Sequence, residues 1–188
     1  ACTNTLLVHE MRKFNSMNKW SLVNFPSAVG DQGQESVTLE AWWLPVDDPL
    51  APRVAIFHGT NANFNDWSVQ LPAYMLRSMG FAVLLPNLRD YGLRNPSPNA
   101  SSHVVSWGWA YFLDVLGAVS YMVRDPDGKL GGPTAPSQVG LMGSSMGGFA
   151  VATALGLRPD IAGAWLDSTF AEPRHMMEFG LRRVMGPL

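Results

Sequence analysis

Gly143-Ser144-Ser145-Met146-Gly147 sets a serine two positions from a glycine on either side. An apolar run, Gln138 to Met142, precedes it, and a small-residue run, Gly148 to Leu155, comes after it. Strand, tight turn and helix around G-x-S-x-G hold a serine on a strained turn, with its hydroxyl clear at the top of a sheet. A hydroxyl so placed can attack a carbonyl carbon. Glycines at 143 and 147 let strand and helix approach without Cβ clashes. Only one register fits, so Ser145 is the candidate nucleophile and Ser144 is not.

The elements that must position this serine are readable on either side of it. Residues 5–19 have the spacing of an amphipathic helix, with Leu7, Met11 and Phe14 on one side. Ser36 to Trp43 alternates as a strand, and Arg53 to His58 is a β-rich run ending at Gly59. A helix is expected next, seeded near Pro72 and closed by Gly80. Phe81 to Pro86 reads as another buried strand, residues 87–106 as a polar, turn-rich segment, and Trp107 to Arg124 as a helix ended by Asp125-Pro126-Asp127-Gly128. After the elbow come a helix to Gly156, a strand from Ile161 to Leu166 and a C-terminal helix within 171–188, beginning at Pro173. Apolar strands alternating with helices predict an α/β fold: one domain over 1–188, a mostly parallel sheet covered on both faces in a three-layer sandwich.

Composition narrows the function. The chain has 188 residues, 47% of them hydrophobic and 15% charged, which describes a globular domain. A formal net charge of −2 without a basic cluster argues against a nucleic-acid partner. Cys2 is the only cysteine, so no intrachain disulfide forms. His9, His58, His103 and His175 lack metal-ligand spacing, and no cofactor motif is present. Val139 to Leu157 approaches the length of a membrane span, but its adjacent serines and glycines fit an elbow and a buried helix better. No signal peptide or transmembrane segment is read, and the compartment stays open. Asn99-Ala100-Ser101 is a sequon that matters only in a secreted protein.

The chain resembles the α/β-hydrolase superfamily, in its branch of serine esterases and prolyl-oligopeptidase-like peptidases. Besides the elbow, three segments match in order over about 20–170: Phe57-His58-Gly59-Thr60-Asn61, Leu85 to Gly92, and Asp167-Ser168-Thr169-Phe170. The resemblance implies an acyl-enzyme formed on a small ester, thioester or amide substrate. It implies an oxyanion hole from the Met146 backbone N–H and one near Thr60, with His58 and Gly59 positioning that loop. Arg89 and Asp90 read as charges bracing their loop. Trp107 and Trp109 stand beside the polar segment, where they either pack in the core or wall an acyl pocket.

The resemblance also requires an acid and a histidine after the nucleophile, in that order. Asp167, Glu172 and Glu178 are the acids on offer, with Asp167 at a strand end, and His175 is the only later histidine. His103 is available but breaks the order. The family's last strands do not fit between Asp167 and Leu188, since each strand–helix–strand unit takes about 30 residues. The Ile161–Leu166 strand is then expected at an open sheet edge that invites a protein partner. That edge supports a second reading: a non-catalytic, hydrolase-like subunit of a larger assembly.

Overall fold

The computed structural model describes residues 19–31, 33–91 and 109–172, together with Arg174 and Glu178. The helix expected over 5–19 lies outside these residues but for Lys19, as does most of the helix expected within 171–188. Arg174 and Glu178 are helical and ion-paired at 2.9 Å.

Among the described residues, six strands form one sheet: β1 (Ser21–Pro26), β2 (Thr38–Leu44), β3 (Arg53–Phe57), β4 (Ala82–Pro86), β5 (Val139–Ser144) and β6 (Gly163–Asp167), in the order β1-β2-β4-β3-β5-β6. β4, β3, β5 and β6 run parallel, and β2 pairs antiparallel with both β1 and β4. β1 is an addition to the strands read from sequence. It is short and ends in proline, and only Val23 and Phe25 turn inward. The alternation of strand and helix therefore starts at β3.

Three helices connect the parallel strands: α1 (Trp67–Ser78), α2 (Tyr111–Arg124) and α3 (Met146–Leu157). The path from β3 to β4 moves one way along the sheet, and those from β4 to β5 and from β5 to β6 move the other way. Right-handed crossovers then put α1 on one face and α2 with α3 on the other. Two apolar clusters record this division. Val69, Ala73 and Tyr74 of α1 pack with Ile56, Val83 and Leu85, while Val115, Val119, Val151 and Ala154 pack with Phe57, Leu84 and Leu141.

Two helix starts differ from expectation. α1 begins at Trp67, and Pro72 lies inside it. The Asp66 carboxylate caps the helix by accepting from the Ser68 N–H at 2.9 Å. Pro72 merely omits the bond its N–H would have given to Ser68. The stop is as read: Gly80, at φ 90°, donates to Arg77 O and Phe81 donates to Leu76 O, a Schellman closure. α2 begins at Tyr111, because Trp109 and Ala110 form a turn. Trp109 is 70% exposed, so it is not a core residue.

β6 is the outer strand of the described sheet, and all five of its residues are exposed. The edge expected at Ile161–Leu166 is thus found at Gly163–Asp167, while Ile161 itself is buried. Among the described residues, no element covers β6 well enough to bury its side chains. Beside β6, an apolar groove of about 500 Å³ opens between Met75 and Met79 of α1 and Met142, Ala164 and Trp165 of the sheet. Among the described residues, no helix is long and apolar enough to cross a membrane.

Candidate active site

The carboxyl ends of β3, β5 and β6 converge on Ser145. β5 ends at Ser144 and α3 begins at Met146, so Ser145 alone makes the turn. Its backbone sits at φ 52° and ψ −117°, a region that costs a non-glycine residue about 1–3 kcal/mol. The geometry needs bare neighbours. A Cβ on Gly143 would lie 2.5 Å from Gly147 O, and one on Gly147 would lie 2.5 Å from both His58 O and Phe57 O. These are backbone atoms that cannot swing aside, so the glycine pattern is a steric requirement of strand, helix and neighbouring loop at once.

The loop after β3 comes to the same point. A Cβ on Gly59 would stand 3.3 Å from Ser145 Cβ and 3.9 Å from Ser145 Oγ. The Thr60 hydroxyl donates to Met146 Sδ at 3.5 Å. The structure therefore brings together Gly59, Thr60, Ser145 and Met146. Met146 is the first residue of α3, and the Ser145 side chain does not cap the helix. The N–H groups of a first helical turn lack partners within the helix and carry its positive end. An anion forming beside Ser145 would meet that end.

His58 is fully buried beneath this loop. Its Nδ1 donates to Gly59 O at 2.8 Å, and its Nε2 accepts from the Leu88 N–H at 3.1 Å. Both ring nitrogens are occupied by backbone, with the proton on Nδ1. Burial drives its pKa down to about 4, against the smaller pulls of Gly59 O and Asp66. A neutral, doubly bonded ring is suited to holding the Gly59 and Leu88 loops at a fixed distance.

The segment after β4 is braced as its charges suggested. Arg89 Nη2 meets Asp114 Oδ1 at 2.8 Å, and the Arg89 N–H donates to Asp114 Oδ2 at 2.9 Å. Asp114 is wholly buried on α2, and burial raises its carboxyl to about 6 against the pull of Arg89. Tyr111 donates to Asp90 Oδ2 at 2.8 Å. A charged residue inside an otherwise apolar helical stretch was the signal that could have marked Asp114 as a partner.

The Asp167 side chain is exposed and accepts from Ser168 Oγ at 3.1 Å, although its backbone carbonyl accepts the Ser145 N–H at 2.8 Å. Glu172 is exposed, and Glu178 pairs with Arg174. His175, His103 and Trp107 lie outside the described residues. No group of three His, Cys, Asp or Glu side chains that could hold a metal ion occurs among the described residues.

The sequence matches the alpha/beta hydrolase fold family over residues 52–186. No functionally curated protein matches. Among solved structures, the chain is similar to an esterase of Pyrococcus furiosus, with a TM-score of 0.66 and 20% identity over 92% of this chain and 59% of that one. It is also similar to the alpha/beta hydrolase GrgF of Penicillium sp. sh18, with a TM-score of 0.64 and 18% identity over 89% of this chain and 56% of that one. A dienelactone hydrolase of Anabaena variabilis aligns with a TM-score of 0.56 and 18% identity over 80% of this chain and 62% of that one. At such identities the likeness to these structures concerns the fold. The chain spans less than two thirds of the length of each.

Proposed function

Since this chain belongs to the alpha/beta hydrolase fold family, we propose that it is a serine hydrolase cleaving ester, thioester or amide bonds through an acyl-enzyme on Ser145. The backbone of Ser145, held at φ 52° and ψ −117° between β5 and the N-terminus of α3, is the observation that carries this reading. The Ser145 Oγ attacks the substrate carbonyl carbon while a histidine takes its proton. The negative charge moves to the carbonyl oxygen, where the Met146 N–H and an N–H of the Thr60 loop stabilise it. The intermediate collapses, the histidine returns its proton to the leaving group, and water then releases the acyl group by the reverse sequence.

His58 and Gly59 act here as positioning residues for the oxyanion loop. The base must be another histidine, since both His58 nitrogens are engaged. Within the given sequence His175 is the histidine that follows Ser145, and it is the candidate for that role, with Asp167 as the candidate orienting acid. Removing a triad base costs several orders of magnitude in rate, so His175→Ala should lower turnover at least about 100-fold. Retention of the wild-type rate would move the base elsewhere.

A fluorophosphonate probe tests the main claim. It should label the wild type and leave Ser145→Ala unlabelled. Equal labelling of both, or of neither, would overturn it.

A second reading is favoured by the β6 edge. An exposed strand with Trp165 68% accessible, beside an apolar groove, fits a polypeptide partner that extends the sheet. On that reading the domain is an assembly subunit. Trp165→Lys should release the partner while leaving melting of the isolated chain unchanged. An assembly unaffected by that substitution removes the support.

A further inference from the structure

The strain at Ser145 must be held by something other than its own side chain. Its backbone is gripped from the β6 side at both polar groups. Its N–H donates to Asp167 O at 2.8 Å, and its carbonyl accepts from Thr169 Oγ1 at 3.0 Å as well as from the Phe149 N–H at 3.1 Å. The chain reaches this position because Ser168, at φ 51°, turns it back over the elbow after β6 ends. Two further contacts seat the return. Gly148 gives Thr169 room, since a Cβ on Gly148 would fall 2.8 Å from Thr169 Cβ, and Phe170 stacks on Phe149 with ring centroids 5.1 Å apart.

We propose that Thr169 is a positioning residue for Ser145: its hydroxyl, bonded to the Ser145 carbonyl, fixes the peptide that links the nucleophile to the first turn of α3. The rotation of that peptide sets the direction of the Met146 N–H, and anchoring its carbonyl holds the strained Ser145 backbone from which Oγ projects. One hydrogen bond therefore secures the oxyanion donor and the seat of the nucleophile together. Asp167 would contribute through its backbone carbonyl, whatever its carboxylate does. The proposal rests on the reading of Ser145 as nucleophile for its catalytic consequence, and on the hydrogen bonds alone for its structural one.

The test uses the full chain with Thr169→Val, which keeps the shape against Gly148 and loses the hydroxyl, and Thr169→Ser, which keeps the hydroxyl. Two quantities are read: the rate of fluorophosphonate labelling at Ser145 and the hydrogen exchange of the Ser145 amide. Loss of a hydrogen bond of ordinary strength predicts that Thr169→Val labels about five- to tenfold more slowly, exchanges that amide about tenfold faster and melts only about 2–4 °C lower. Thr169→Ser should stay within about twofold of wild type on both counts. Labelling of Thr169→Val at the wild-type rate overturns the proposal, as does an equal slowing in Thr169→Ser. If wild type itself does not label, the nucleophile reading fails by itself and exchange decides the clamp: faster exchange in Thr169→Val alone supports it, and unchanged exchange overturns it.

Discussion

Two twelve-residue helices, α1 and α3, leave the adjacent parallel strands β3 and β5, and they start in opposite ways. Between β3 and α1 the chain uses residues 58–66 and many polar side chains. His58 bonds two loops, Asn63 Oδ1 accepts from the Asn65 N–H at 2.8 Å, Asn87 Oδ1 accepts from the Phe64 N–H at 2.9 Å, and Asp66 caps the helix. Between β5 and α3 there is only Ser145, strained and uncapping, seated by glycines, by its neighbours' backbone and by the Thr169 hydroxyl. The first junction neutralises the positive end of its helix with a carboxylate and gains stability. The second gives up stability and, at its N-cap, sets a hydroxyl that does not cap the helix. Strain and an N-cap serine that does not cap are expected where a site must act on a ligand rather than on itself.

Gly147→Ala should break the contrast outright. Its Cβ would press on the Phe57 and His58 carbonyls, which belong to the other junction, so the substitution drives the two apart. Overpacking against rigid backbone predicts a loss of about 3 kcal/mol, the upper end of such costs, in chemical denaturation. A loss below about 1 kcal/mol would mean the elbow is looser than its geometry.

His58 offers the next largest effect. Its folded pKa is depressed to about 4 from 6.5, so the unfolded chain binds its proton more readily. Stability from this group is complete above about pH 6.5, is lost as pH falls toward 4, and is gone below that. The difference approaches about 3 kcal/mol. Asp114, raised to about 6, works in the opposite sense between 3.8 and 6. Comparing wild type with His58→Gln removes that shared contribution. The stability gap between them should shrink on acidification, and a gap constant from pH 7 to 4 would show that His58 is not the proton acceptor.

Legibility in the sequence divides along the same contrast. The elbow was legible because its strain forces glycines at fixed offsets from Ser145, a signature written in adjacent residues. The Schellman stop at Gly80 was legible for the same reason. Contacts made across the chain left no such trace. Arg53 looks like the first residue of an apolar strand, yet its guanidinium is buried and donates to the carbonyls of Met122, Leu130 and Gly132. Thr169 bonds a carbonyl 24 positions away, and a single hydroxyl carries no periodicity. β1 escaped notice because a six-residue edge strand with two inward side chains is too short to display alternation. Pro72 misled because proline is commonest at helix starts, whereas the start here was fixed by Asp66.

Asp66→Ala tests the stable junction by itself. Losing the N-cap bond to Ser68 should cost about 1 kcal/mol and leave labelling of Ser145 unchanged. A loss of labelling would tie the α1 cap to the site through His58, which feels the Asp66 charge.

The smallest effects give the sharpest comparison, because one substitution at two N-caps should act with opposite sign. Asp66 has an ordinary extended backbone, φ −71° and ψ 140°, so Asp66→Gly relieves nothing there, loses the cap and adds freedom to the unfolded chain. A cost of a few tenths of a kcal/mol is expected. Ser145, at φ 52° and ψ −117°, caps nothing and is held in a region where glycine is at ease. Ser145→Gly should release about 1–3 kcal/mol of strain, less the roughly 0.5–1 kcal/mol that glycine adds to unfolded-state entropy. The net gain is about 1 kcal/mol, read as a higher denaturation midpoint at an unchanged slope. If both variants lose stability, Ser145 is not strained in the folded protein, and the two helices start more alike than their backbones indicate. If Ser145→Gly gains while Asp66→Gly loses, the protein keeps at Ser145 a serine that its fold alone would not choose.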